Sequence, residues 1–167
     1  MIVVSDTSPL RYLAVLAGLE WLPRLFSEVV CPPEVLGECC HPHAPESLRR
    51  WALSPPPWLK IQKVKDPMRA LGSDELLDPG ETAALLLARE IQADLLLLDE
   101  RKGRAVAQRL GLAVTGTVGV LVRASLERLV DFDQAIARLR AETNFRVDDA
   151  VIAEARRRLA QGLKLLP

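Results

Sequence analysis

Short apolar runs alternate along most of the chain with segments in which apolar residues recur three and four positions apart. The apolar runs are Ile2–Val4, Val29–Cys31, Ala93–Leu98 and Leu112–Val114, and a further strand is indicated at Leu59–Val64, where apolar and polar residues alternate. Runs of this length are typical of strands, whereas the intervening spacing is typical of helices. Strands that alternate with helices predict an α/β fold in three layers, with a parallel sheet of about four or five strands between two layers of helices.

Helix boundaries are marked by capping residues and by glycine. Asp78-Pro79-Gly80-Glu81 begins a helix, TAALLLAREI, with Asp78 as its N-cap. Asp131 or Asp133, and then Asp148, begin two further helices toward the C-terminus. With no repeat or linker in the sequence, we expect one domain over residues 1–167, with the helices from about residue 131 onward packed on it.

Composition excludes several classes of protein. The chain has 22 Lys and Arg against 22 Asp and Glu, so a nucleic-acid partner must be held locally or through cations rather than by a global positive field. Three cysteines, two of them adjacent at Cys39 and Cys40, do not form a disulfide framework and favour a cytoplasmic location. No apolar run approaches the ~20 residues that span a bilayer, so we expect no membrane association.

Four carboxylates fall near one edge of the predicted sheet. Asp6 directly follows the first strand, and Asp99 directly follows the fourth. Glu81 lies in the first turn of the helix after the third strand, and Glu38 lies a little over one turn into the helix after the second. The carboxyl ends of parallel strands share one edge, where ligands gather, so we expect the four side chains to lie there together.

Such a cluster favours a cation. Two like charges ~4 Å apart repel by about 4 kcal/mol at an effective dielectric near 20. Ligands that are all oxygen suit Mg²⁺ or Mn²⁺. An ion of this kind can activate water and stabilise the charge that develops on a phosphodiester under attack.

Simpler structural explanations compete with the metal site at each position. Asp6 could be only a helix N-cap, and Glu81 could only complete a capping box with Asp78. Glu38 could be a solvated helix residue. Asp99 ends a run of four leucines, where a carboxylate without a partner would be costly to bury.

Hydroxyl and basic residues beside these acids are candidates for substrate binding. Thr7 could cap a helix, bond an Asp6 oxygen or contact substrate. Arg101, Lys102 and Arg104 follow Asp99 and could contact the phosphates of RNA, or could be solvated charges.

Two other site types fit the sequence less well. Cys31, Cys39, Cys40, His41 and His43 lack the usual spacing of zinc ligands, and adjacent cysteines rarely bind one ion. A phosphatase of the haloacid dehalogenase type has a second Asp two residues after the first, where this chain has Ser8.

Five segments in order resemble one family along nearly the whole chain. They are VVSDTSPL, CPPEVLGE, LDPGETAALLLA, LLLLDERKGRAVAQRLGL and VTGTVGVL. The chain resembles the PIN-domain family, and within it a prokaryotic, VapC-like branch related to the toxin nucleases of toxin-antitoxin pairs. Glu38 is chosen over Glu34 because it fits the pattern V-x-x-E, and Glu81 stands where the family more often has Asp.

This resemblance implies a metal-dependent endoribonuclease that uses Mg²⁺ or Mn²⁺. Asp6, Glu38, Glu81 and Asp99 would form its catalytic and metal-binding set. It also implies an RNA substrate, a homodimer and a small antitoxin protein whose tail covers the acidic site. The alternative is a PIN-like module that binds nucleic acid or protein without cleaving.

Overall fold

The computed structural model describes residues 1–66, 71 and 76–162, and within them the predicted alternation of strands and helices is present. The strands are β1 (Ile2–Ser5), β2 (Glu28–Cys31), β3 (Leu59–Ile61), β4 (Leu95–Leu97) and β5 (Val114–Thr115). The helices are α1 (Thr7–Val15), α2 (Leu22–Leu25, preceded by a 3-10 turn at Leu19–Trp21), α3 (Pro33–Cys39), α4 (Glu46–Leu53), α5 (Pro79–Glu90), α6 (Arg101–Arg109), α7 (Thr117–Leu126), α8 (Phe132–Glu142) and α9 (Asp149–Ala160).

All neighbouring strands are parallel and lie in the order β3-β2-β1-β4-β5. The chain therefore moves toward one side of the sheet from β1 to β3 and toward the other from β4 to β5. In such sheets a crevice opens at the carboxyl ends of the two strands where the direction changes. Here those strands are β1 and β4, which pair with Val4 opposite Leu96.

Helices cover both faces of this sheet and make it the middle of three layers, which confirms the predicted fold class. Right-handed crossovers place α1, α3 and α4 on one face and α5 and α6 on the other. Consistent with this, α1 contacts both α3 and α4, while α5 contacts α6. Helix α7 packs on α1, and α8 and α9 pack on α7.

The two central strands are buried on both faces. In β1, Val3 and Val4 have no solvent-exposed surface, and the three leucines of β4 are equally enclosed. This explains why β4 is almost wholly apolar, since a central parallel strand has no face that contacts water. None of the helices in the described part of the chain is long and apolar enough to cross a membrane.

Two strands differ from their predicted bounds. The third was predicted to reach Val64, but β3 ends at Ile61. The last bond of its ladder with β2 runs from the amide of Gln62 to the carbonyl of Cys31, and the next residue in line to donate, Pro33, has no N–H. The fifth was predicted over Leu112–Val114, but β5 begins at Val114. The amide of Leu112 donates instead to the carbonyl of Ala107 at the end of α6.

Replacing Leu97 by Ala should destabilise the protein by about 2–5 kcal/mol, because it leaves a cavity in the fully buried strand β4. The matched control is Leu53→Ala on α4, where the side chain is 75% exposed, so the same substitution should change stability by less than about 0.5 kcal/mol. Urea unfolding monitored by circular dichroism measures both. Equal losses in the two variants would contradict the assignment of β4 to the core.

Candidate metal centre

Asp6 is held at the carboxyl end of β1 with its side chain buried. Its amide donates to the carbonyl of Leu97 at 2.9 Å, which ties it to the end of β4 at the crevice. It occupies the N-cap position of α1, yet its side chain makes no capping hydrogen bond. The residue is only 3% exposed, and Oδ1 has no hydrogen-bond partner among the described residues. Capping alone therefore does not account for this carboxylate.

Glu38 lies in the last turn of α3, and its carboxylate accepts hydrogen bonds from two other helices. Its Oε2 accepts a hydrogen bond of 2.5 Å from Oγ1 of Thr7 in the first turn of α1. Its Oε1 accepts a hydrogen bond of 2.8 Å from the amide of Gly80 in the first turn of α5. Glu34, the other glutamate of α3, is exposed. Helix packing thus places Glu38 beside the end of β1.

Asp78 is the third acid at this position, where the sequence predicted only a helix cap. It does cap α5, since its Oδ1 accepts from the amide of Glu81 at 2.8 Å. One oxygen each of Asp6, Glu38 and Asp78 also lie within 4.8 Å of one another. The sequence did contain a signal for this role, since Asp78 is a capping aspartate three residues before the predicted site acid Glu81. A cap engages only one of the two carboxylate oxygens, so the other can bind an ion.

Glu81 follows in the first turn of α5 and is 5% exposed. Its Oε1 is buried without a hydrogen-bond partner in the described part of the chain. The carboxylate lies against Gly103 in the first turn of α6. It is near Asp6, but it does not belong to the compact group formed by Asp6, Glu38 and Asp78.

Asp99 lies just beyond β4 and is held by the start of α7. Thr117 donates to it twice, from its amide to Oδ1 at 2.8 Å and from Oγ1 to Oδ2 at 2.6 Å. Thr117 is fully buried, so this pair is a rigid contact. The sequence predicts that Asp99 lies with the other acids. The structure puts it at the same crevice but outside the compact group of Asp6, Glu38 and Asp78.

Three of these acids each pack against a glycine at the start of a following helix. A methyl group added at Gly80 would lie 2.4 Å from Glu38, one at Gly103 would lie 2.3 Å from Glu81, and one at Gly116 would lie 2.4 Å from Asp99. A helix N-terminus carries partial positive charge and free N–H groups. The glycines let the carboxylates approach it closely.

Burial dominates the electrostatics of the site. It raises the pKa of Asp6 from 3.8 to about 7, with the amide of Thr7 opposing the rise and the charges of Asp78 and Glu81 adding to it. Burial also raises the pKa of Glu81, again with a contribution from Asp78. It raises the pKa of Asp99, against the two hydrogen bonds from Thr117. The helix N-termini therefore leave part of the cost of these charges uncompensated.

The four residues predicted to bind substrate are placed in different ways. Thr7 donates its hydroxyl proton to Glu38 and so orients an acid. Arg101 and Lys102 are exposed in the first turn of α6, where a polyanion can reach them. Arg104 is half-buried, and its Nη1 donates to the carbonyl of Leu98 at 3.0 Å, which anchors it beside Asp99.

The zinc alternative finds no support in the geometry. Burial raises the pKa of Cys31 to about 12 and raises that of Cys39 as well, so neither thiol ionises readily. His41 and His43 are exposed on the loop after α3. Among the described residues, the compact group of metal-ligand atoms consists of carboxylates alone.

A comparison with protein families identifies the chain. The model of the family DUF3368, described as a PIN domain, matches residues 2–161. The chain belongs to the PIN-domain family. Searches of curated proteins and of solved structures return no significant match. The PIN fold is a nuclease fold, and PIN domains typically use a divalent metal ion.

The residues of this PIN domain fit such an ion. The span of up to 4.8 Å among the oxygens of Asp6, Glu38 and Asp78 is close to about 4.2 Å, which is twice a typical Mg²⁺–oxygen distance. Two buried carboxylate oxygens, Oδ1 of Asp6 and Oε1 of Glu81, lack a hydrogen-bond partner among the described residues. A purely structural acid at this depth would be paired.

Asp6→Asn should stabilise the metal-free PIN domain at about pH 8. The folded-state pKa of about 7 exceeds the ordinary value of 3.8, so the folded state binds this proton more tightly than the unfolded state. Stability of the wild type should therefore fall as the pH rises from about 4 to about 7, by up to about 4 kcal/mol from this group. Urea unfolding in EDTA at a series of pH values measures the difference.

The matched control for this prediction is Asp133→Asn on α8, which removes an exposed carboxylate paired with Arg156. It should leave the pH dependence of the wild type in place. If Asp6→Asn followed the same pH dependence as the wild type, the assigned cost of burying Asp6 would be wrong.

Proposed function

We propose that this PIN domain is a metal-dependent endoribonuclease that hydrolyses RNA phosphodiester bonds with Mg²⁺ or Mn²⁺. The observation that carries the proposal is the buried Oδ1 of Asp6, which has no hydrogen-bond partner among the described residues and lies in a group of carboxylates at the crevice between β1 and β4. A fold that keeps an unpaired buried charge at its ligand-binding edge gains stability when a cation binds there.

Asp6, Glu38 and Asp78 would hold the ion. When bound, it supplies a water activated for attack and positive charge for the phosphodiester during in-line displacement. Thr7 and the amide of Gly80 orient Glu38 by binding one oxygen each. Asp78 is fixed by its cap on α5, so its second oxygen remains for the ion.

Glu81 and Asp99 would complete the acidic site from the other side of the crevice. Glu81 has a buried oxygen with no hydrogen-bond partner in the part of the chain that the structure describes, and its charge already acts on Asp6. Asp99 is positioned by the hydroxyl and amide of Thr117, and the rigidity of that contact suits a group that orients water or substrate. Each carboxylate oxygen has a second lone pair, so Asp99 keeps acceptor capacity.

Our proposals for the substrate and the biological role are based on the resemblance to the VapC-like branch. Arg101 and Lys102, exposed at the start of α6, are suited to contact RNA phosphates beside Asp99. We further propose a homodimer, a toxin-like role with a small antitoxin protein that covers the acidic site, and a cytoplasmic location. The odd cysteine count supports this location because it favours a reducing compartment.

Gly80→Ala should weaken Mn²⁺ binding by about 10- to 100-fold, because the added methyl group would lie 2.4 Å from the Glu38 carboxylate and displace it. The matched control is Gly37→Ala on α3, where an added methyl group meets nothing within 4 Å. Isothermal titration calorimetry, with the Mn²⁺-induced rise in unfolding temperature as a second readout, compares the two. Equal Mn²⁺ affinity would show that Glu38 does not bind the ion.

Asp6→Asn and Asp99→Asn should each reduce cleavage of single-stranded RNA with Mn²⁺ by more than about 100-fold, since even partners outside a metal's ligand shell contribute 10- to 100-fold. The control variant is Asp133→Asn, whose carboxylate pairs with Arg156 away from the crevice. The measurement is the initial rate on a labelled oligonucleotide, with circular dichroism as a check of folding. Cleavage at equal rates by the wild type and both site variants would contradict the assignment.

A module that binds without cleaving is the second candidate. It is favoured by Asp99, whose two oxygens are both engaged by Thr117. Such a module would bind RNA and show no metal-dependent cleavage in the wild type. Thr117→Val, which removes the bond from Oγ1, would then leave the behaviour toward RNA unchanged, whereas the nuclease proposal predicts a slower reaction.

A further inference from the structure

A pocket of about 240 Å³ lies directly beside the acidic site, on the surface where α1, α3 and α4 meet. It is lined by Thr7, Arg11, Glu38, His41, His43, Ala44 and Leu48. Two of these residues, Thr7 and Glu38, are the hydrogen-bonded pair of the acidic site. The pocket and the acidic site therefore share one wall.

Beyond that shared wall, the polar lining changes from carboxylate to basic and aromatic groups. Arg11 lies one helical turn after Thr7 and so on the same side of α1. It is exposed and forms no ion pair with an acid in the part of the chain that the structure describes. A guanidinium without a carboxylate partner is a ready donor of two hydrogen bonds to a phosphate.

The two histidines form an ordered pair at the rim of the pocket. Their ring centroids are 5.1 Å apart, and the amide of His43 donates to Nδ1 of His41 at 3.3 Å. The amide of His41 in turn donates to the carbonyl of Glu38 at 3.0 Å, which links the imidazole to the acid's own backbone. Because Nδ1 of His41 accepts, Nε2 carries the ring proton and can donate.

Ala44 and Leu48 complete the lining with apolar groups. A guanidinium and an imidazole pair beside apolar groups suit a single nucleotide. The guanidinium can bind its phosphate, and the imidazole face can stack on its base.

We propose that this pocket is a nucleotide subsite that holds the RNA residue next to the phosphodiester being cleaved. This proposal rests on the ribonuclease function proposed above. Arg11 binds the phosphate of that residue, and its base stacks on the imidazole of His41. The subsite aligns the strand because Thr7 and Glu38, which form its wall, also belong to the acidic site.

The size of the pocket sets the form of the substrate. A volume of about 240 Å³ is below the range of roughly 300–1,000 Å³ for pockets that enclose drug-sized ligands, so the pocket has room for about one base and not for a base pair. A base reaches such a pocket only when it is free of its pairing partner. The subsite therefore selects single-stranded RNA.

The test measures RNA binding without the cation, so that it does not depend on cleavage. A fluorescently labelled single-stranded oligonucleotide is titrated with the full chain in EDTA, at several salt concentrations, and its duplex is titrated in parallel. The variants are Arg11→Gln and His41→Ala. The control is Arg24→Gln, which removes an exposed charge from α2, just before β2 and so near the opposite edge of the sheet.

Arg11→Gln should weaken binding and reduce the slope of log affinity against log salt by about 0.7, the value for one lost phosphate contact on a single strand. His41→Ala should weaken binding of the single strand at least about fivefold, as loss of one stacked base does, without changing the salt slope at about pH 8. It should also reduce the preference for single strand over duplex. Arg24→Gln should match the wild type in both measurements.

Equal affinity and equal salt slope for all three variants would overturn the subsite, and so would a wild type that shows no binding to the single strand. The proposed function fails in a different way. If the wild type binds through Arg11 and His41 but does not cleave RNA with Mn²⁺, the pocket binds a nucleotide as proposed and the nuclease activity is wrong. If it cleaves and the Arg11 and His41 variants cleave at the same rate, only the subsite is wrong.

Discussion

The fold buries a cluster of carboxylates at one edge of its sheet, and its hydrogen bonds offset only part of the cost of burying these charges. Helix N-termini supply N–H groups to Glu38 and Asp99, and glycines at those helix starts allow the close approach. Asp6 and Glu81 nevertheless keep an oxygen without a partner in the described part of the chain. This cost is tolerated because the central strands beneath it are almost wholly apolar and tightly enclosed.

The strand order determines where the cluster forms. Chain direction across the sheet changes between β1 and β4, so the loops after these two strands diverge and leave a crevice between Asp6 and Asp99. Side chains from α3 and α5 enter from the same edge because those helices begin or end there. A chain with no net charge can thus place a cluster of carboxylates beside an exposed arginine, with the Thr7–Glu38 pair between them.

Most of the fold could be predicted from local sequence. The run of leucines before Asp99 required a central strand, and the Asp78-Pro79-Gly80-Glu81 segment required a helix start, which is present with the expected hydrogen bond from the amide of Glu81 to Asp78. Strand ends were less predictable, because they depend on what the neighbouring element offers. Pro33 ends the ladder between β2 and β3, although β3 itself contains nothing that would stop it.

The sequence by itself determined that Asp6 and Asp99 reach the carboxyl edge of the sheet, because each comes at the end of a parallel strand. Only the tertiary structure decided which acids meet. It placed Asp78, a capping residue, beside Asp6 and Glu38, and it placed Thr117 where its hydroxyl donates a hydrogen bond to Asp99. It also turned Thr7 toward Glu38 and placed Arg11 and His41 around one pocket. These contacts join residues that are distant in sequence, and they depend on how helices pack, which local propensity does not encode.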